Sequence, residues 1–188
     1  MKKLALLAAA LLLVGAPGAV HGQVLLELNG EGSYTRVDVA GWLGDGVFDP
    51  QRIGYGGSAV ALFGTRGAGG FHYGLEIGYA RLMDFNFIFQ GESFQRGINA
   101  LRVQALVRFW FDEGAWFGEA AAGIVNLDGS SGAGSVNDPV LTAGVGKPWA
   151  LSEQLSLVTR GNGNLLFDSE SMVLTLRFSA GLSYTLGN

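Results

Sequence analysis

The chain has no cysteine, which rules out a disulfide framework and thiolate chemistry. A chain without disulfides needs another device to hold itself together. Proline is scarce, and its four positions (17, 50, 139 and 148) spare the interiors of the segments that read as strands. Lysine is limited to Lys2, Lys3 and Lys147, and histidine to His21 and His72. There is no basic patch, which excludes the usual footprint of a nucleic-acid binder. Beyond residue 22 no apolar run approaches the ~20 residues of a membrane-spanning helix. No amphipathic helical period of useful length is present either.

The first 22 residues read as a removable leader. Lys2 and Lys3 form a basic start, Leu4 to Val14 an apolar run too short to span a bilayer, and Val20-His21-Gly22 a cleavage site before Gln23. The expected organisation is a signal peptide over 1–22 and one domain over 23–188. Without Lys2 and Lys3, ten bases stand against sixteen acids, a net charge of about −6.

What the chain has in abundance is a period of two. From Met172 to Leu186, Met172, Leu174, Leu176, Phe178, Ala180, Leu182, Tyr184 and Leu186 share one face, while Thr175, Arg177, Ser179 and Ser183 share the other. Strand side chains alternate faces, so this is a strand with one greasy and one polar side. Eight such segments follow from the pattern: 24–37, 54–64, 70–90, 94–111, 115–127, 139–148, 154–164 and 172–186. Their connections alternate long with short. Lopsided connections and strands of this length predict an all-β fold, an eight-stranded antiparallel up-and-down transmembrane β-barrel, greasy outside and polar inside. The competing reading is a soluble barrel with its apolar face inward around a ligand. Scarce charge on the greasy faces and aromatic residues flanking the short turns (Phe63, Phe71, Tyr73, Phe109, Phe111, Trp116, Trp149 and Tyr184) favour the membrane.

Orientation follows from the leader. The first strand starts on the periplasmic side, so the long connections lie outside. The third connection is expected to be a hairpin that overshoots the membrane, with odd positions through Met83, Phe85, Phe87 and Phe89 facing outward.

The polar face carries Glu27, Glu31, Glu76, Glu119, Arg102, Arg108, Arg160 and Arg177. Eight strands enclose a space about wide enough for side chains to fill, and charges buried there must pair. A two-residue turn at Glu113-Gly114 sets Arg108 opposite Glu119 and Trp110 opposite Phe117. A three-residue turn at Gly91-Glu92-Ser93 sets Glu76 opposite Arg108, which would then bridge two carboxylates. Closure of the first strand on the last pairs Glu31 with Arg177. The network reads as a plug; a narrow ion path is the alternative.

Catalytic signals are weak. His72 lies on the polar face near a short turn, with no serine beside it and Glu76 too far along to orient it, so it reads as structural. The segment Asp128 to Asp138 is acidic and Gly-rich but lacks the ligand spacing of a calcium loop. No catalytic, cofactor or metal residues are expected. Acids (Asp38, Asp45, Asp49, Asp84, Glu92, Asp128, Asp138, Asp168, Glu170) gather in or beside the long connections. With them come the aromatics Trp42, Phe48, Phe85, Phe87, Phe89 and Phe167. Trp42, Phe48, Phe85, Phe87 and Phe89 are the candidates for external binding.

Strand count, loop alternation, Gly-rich dyads such as Gly74-Leu-Glu-Ile-Gly-Tyr79 and the last strand make the chain resemble the small eight-stranded outer-membrane barrels of bacteria. That family includes the membrane domain of outer membrane protein A and the outer membrane protein X type. The resemblance implies an outer-membrane location, an expected monomer, lipid as a neighbour, and a structural or adhesive role with a surface or protein ligand at the loops. A small passive pore is the alternative and a lipid-directed enzyme a weaker one. The family's usual terminal aromatic is replaced here by Ser183-Tyr184-Thr185-Leu186-Gly187-Asn188.

Overall fold

The computed structural model describes residues 22–37, 47–66, 69–89, 92–129, 136–167 and 172–187. The proposed leader lies outside the described residues, apart from Gly22. The chain forms β1 (Gln23–Val37), β2 (Val47–Gln51), β3 (Ile53–Gly64), β4 (Phe71–Phe89), β5 (Glu92–Phe111), β6 (Trp116–Gly129), β7 (Val136–Ala150), β8 (Leu155–Phe167) and β9 (Met172–Leu186). Eight of these close a barrel. Neighbours run β4-β3-β1-β9-β8-β7-β6-β5, and β5 returns to β4. Every pairing is antiparallel, including the seam from Val24 opposite Leu186 to Val37 opposite Val173. Closure leaves the wall without an open edge, which is how an all-strand protein satisfies its backbone in hydrocarbon.

The period of two is visible in burial. Along β9, Val173, Thr175, Arg177, Ser179 and Ser183 are buried, whereas Met172, Leu174, Leu176, Phe178 and Leu182 are exposed. The greasy face therefore points outward and the polar face inward, the inverse of a soluble barrel. We call the end with the short connections the turn end and the other the loop end. Around the turn end Phe71, Phe109, Phe111, Trp116, Trp149 and Tyr184 are exposed on the outer wall. Tyr34, Tyr55 and Tyr79 form a second exposed group towards the loop end, which the sequence reading did not single out.

Three expectations need correction. The connection 38–53 contains a strand: β2 continues the line of β3 and pairs with the far part of β4, Val47 opposite Phe87 and Gln51 opposite Asp84. β7 is longer than 139–148 because its ladder continues from Val136 opposite Leu127 to Ala150 opposite Ser156. Most consequential is a β-bulge in β4. Arg81 pairs with Asn99 but Met83 with Ile98, so Leu82 is an extra residue. Leu82 and Met83 are both buried, and the odd-outward phase ends there. Met83 faces inward, and Phe85 packs partly buried against the apolar cluster at the loop end.

Candidate functional site

Among the described residues the lumen is the most organised polar site. All eight charged residues of the polar face project into it from β1, β4, β5, β6, β8 and β9, and all are buried. Their ion pairs form one continuous chain. Glu27 receives Arg108 Nη1 at 2.5 Å and Nη2 at 3.0 Å, and Arg108 Nη2 also donates to Glu119 Oε2 at 3.1 Å. Glu119 accepts from Asn162 Nδ2 at 2.5 Å and from Arg160 Nη1 at 3.4 Å. The same Arg160 Nη1 reaches Glu76 Oε2 at 3.1 Å, while its Nε and Nη2 bond Ser179 Oγ and Ser58 Oγ, each at 3.2 Å. Glu76 Oε1 takes Arg177 Nη1 and, at 3.3 Å, Arg102 Nη2. Glu31 closes the chain, accepting from Arg102 at 2.9 Å and from Arg177 at 3.2 Å.

Glu27 meets both terminal nitrogens of Arg108, and Glu31, Glu76 and Glu119 are each reached by single nitrogens of more than one arginine. That multiplicity matters, because taking one ion out of water costs several kcal/mol and a single partner seldom offsets it. Four Glu and four Arg also leave the network neutral.

Of the proposed pairings, Arg108 does stand opposite Glu119 and Trp110 opposite Phe117, their rings 5.1 Å apart at 65°. Glu31 and Arg177 are in contact across the seam, though their register partners are Ser179 and Ser33. The expected pair of Glu76 with Arg108 is not formed. The hairpin closes with Phe89 opposite Glu92, and together with the extra residue at Leu82 this sets Glu76 opposite Gln104 and His72 opposite Arg108. Arg108 bridges two carboxylates, but they are Glu27 and Glu119. Glu76 instead finds Arg160 from β8, a contact across the lumen that strand neighbourhood alone does not reveal.

Apolar layers lie on both sides of the charges. At the turn end Leu25, Val60, Leu62, Leu106, Trp110, Phe117, Ala121 and Val158 form one cluster. Arg108 lies over Phe117 at 3.9 Å, and Arg66 lies over Trp110 at 4.8 Å while donating to Gly114 O at 3.4 Å. Towards the loop end Ala80, Leu82, Met83, Ile98, Ala100, Val125, Leu127, Val140, Leu166 and Val173 form a second cluster. Between that layer and the charges runs a neutral polar chain, Gln104 Nε2 to Thr142 Oγ1 at 2.7 Å and Thr142 Oγ1 to Asn164 Oδ1 at 2.8 Å. The interior holds more grease than a purely polar inward face predicts. The signal was there: Leu62, Leu106, Trp110 and Val158 all hold the inward phase.

His72 is fully buried in the turn-end layer, and its Nδ1 accepts from Trp110 Nε1 at 2.7 Å. That bond leaves the proton on Nε2 and uses the nitrogen a catalytic base would need. Among the described residues no cluster of His, Asp and Glu is placed to hold a metal.

The external candidates are placed unevenly. Trp42 lies outside the described residues. Phe48, Phe87 and Phe89 sit on backbone that extends past the barrel as a three-stranded ribbon of β2, β4 and β5, with Phe87 at the register position between Val47 and Phe94. Phe85 is held at the base of this ribbon against the loop-end layer.

No family model matches the sequence, and no curated protein does. Solved structures do match. Neisserial surface protein A superposes with a TM-score of 0.55 at 11% identity, covering 86% of this chain and 96% of that one. The attachment invasion locus protein Ail of Yersinia pestis, in complex with the heparin analogue sucrose octasulfate, superposes with a TM-score of 0.52. It is 16% identical, and the match covers 89% of this chain and 100% of that one. The shared fold is the small eight-stranded antiparallel barrel of bacterial outer membranes.

Proposed function

We propose that this protein is an integral outer-membrane barrel whose lumen is a structural plug and whose work is surface attachment at the loop end. The observation that carries this reading is the filled lumen, a neutral Glu/Arg chain between two apolar layers. With the turn end in the periplasm, the loop end faces out, and the backbone ribbon of β2, β4 and β5 carries the positions of Phe48, Phe87 and Phe89. Function on loops carried by a rigid scaffold is the common arrangement. The same plug weighs against a pore, and the occupied His72 Nδ1 weighs against an enzyme.

The partner's chemistry follows from charge. Acids outnumber bases in and beside the long connections. A cationic or apolar surface suits them. A sulfated ligand of the kind bound in the Ail structure would meet the wrong sign.

Cells displaying the protein should adhere to cationic or apolar surfaces, and trimming residues 85–95 should abolish adhesion while the barrel still migrates as a folded species in cold SDS. Reconstituted in planar bilayers, the intact protein should pass no steady current. Conductance that changes when Glu76 and Arg108 are replaced together would establish the pore instead.

A further inference from the structure

Lys147, the one lysine beyond the proposed leader, faces outward near the turn end. Its Nζ lies 4.9 Å from the ring centre of Trp116 and 4.3 Å from that of Trp149, and both rings are exposed on the outer wall. Among the described residues Lys147 has no carboxylate partner. The ammonium is therefore held by two aromatic faces and left uncompensated, at the level where a bilayer's headgroups begin.

Above it the wall is hollowed. Gly118, Val145 and Gly161 form the next outward row, and beyond them a groove of about 670 Å³ is lined by Ala105, Ala120, Ala122, Ala143 and Gly163. A methyl placed on Gly163 would meet nothing within 4 Å. Ala143 is four residues from Lys147, or about 13 Å along a strand. That is the order of separation between a lipid phosphate and the middle of its acyl chain.

We propose that this strip binds an anionic glycerophospholipid of the periplasmic leaflet, its phosphate on Lys147 between the two tryptophans and one acyl chain in the small-residue groove. Charge complementarity selects the occupant. A lysine without a counter-ion beside hydrocarbon favours a negatively charged headgroup, and the groove beyond it is apolar. The proposal rests on the reading that the barrel spans the outer membrane with its turn end in the periplasm.

The test reconstitutes the full chain in vesicles of equal phosphatidylglycerol and phosphatidylcholine, extracts it mildly, and quantifies the retained lipid by mass spectrometry. Wild type should retain phosphatidylglycerol in excess over the bulk ratio. Lys147→Gln should lower that enrichment about five-fold, the factor equivalent to the ~1 kcal/mol one lysine gains from an anionic surface. Lys147→Arg should keep it. Gly163→Leu, or Ala143→Leu if the first fails to refold, should lower the total lipid retained. A bulk-like ratio in wild type, unchanged enrichment in Lys147→Gln, or unchanged retention in the groove variant overturns the site. Flotation of the same vesicles reports insertion separately. Protein that does not float refutes the spanning reading, and protein that floats without enrichment refutes the lipid site alone.

Discussion

A charge in a buried ion-pair network is worth most when a single partner is removed. Glu76 meets Arg102, Arg160 and Arg177, so Glu76→Gln leaves three guanidinium groups short of one acceptor. The expected loss is about 3–5 kcal/mol of unfolding free energy, measured by urea titration in detergent micelles. Adding Arg177→Met should recover part of that loss. Strict additivity of the two changes would show that the residues are not coupled. Glycine has a different task in the wall. A Cβ on Gly146 would stand 2.2 Å from Phe117 Cζ, and one on Gly78 would stand 2.5 Å from Arg102 Nη2. Gly146→Ala should therefore cost about 1–3 kcal/mol through displacement of the Phe117 ring, read as a lower unfolding midpoint. Both pairs were legible only in part. Inward phase marks Arg102 and Phe117, but which glycine faces them depends on register.

At the scale of elements, the turns decide what could be read. The connection between β5 and β6 is tight, with Ala115 N donating to Asp112 O at 2.9 Å, and its length fixes Arg108 opposite Glu119 without further information. It also carries strain: Asp112 and Glu113 have φ of 51° and 54°, in the left-handed region. Asparagine tolerates that region better than glutamate, so Glu113→Asn should raise stability by about 0.5–1 kcal/mol in the same titration. A fall would mean that the Glu113 side chain contributes something else. The β4–β5 hairpin was misread for the opposite reason. Its long ladder contains an extra residue at Leu82, and nothing in the run Tyr79-Ala-Arg-Leu-Met-Asp-Phe85 announces a bulge, because Leu82 and Met83 are apolar on either face. One unannounced residue moved Met83 inward and, together with a hairpin that closes tighter than expected, moved Glu76 away from Arg108. β2 escaped notice because Val47-Phe-Asp-Pro-Gln51 is short and contains a proline, a composition that reads as connection.

For the whole molecule, alternation of greasy and polar residues was enough to specify a closed wall, its inside and its outside. The contacts through the lumen were not legible, since Arg160 on β8 meets Glu76 on β4 and Glu119 on β6 only once tilt and closure bring opposite walls together. A closed barrel of this kind should run faster in SDS when unheated and shift on boiling; identical mobility under both conditions would contradict closure.

The seam between β1 and β9 gives the charge chain a role in assembly. A slip of two residues there would keep every face correct yet carry Glu31 and Arg177, which meet across it, about 7 Å apart and break their ion pair. A slip of one would turn them towards hydrocarbon. A shifted closure would thus lose the pair that the correct one keeps, so the network favours the correct register at the seam. Glu31→Leu with Arg177→Leu should leave the closed barrel close to wild type in stability but yield a mixture of closed forms on refolding, resolved as several unheated bands where the wild type gives one.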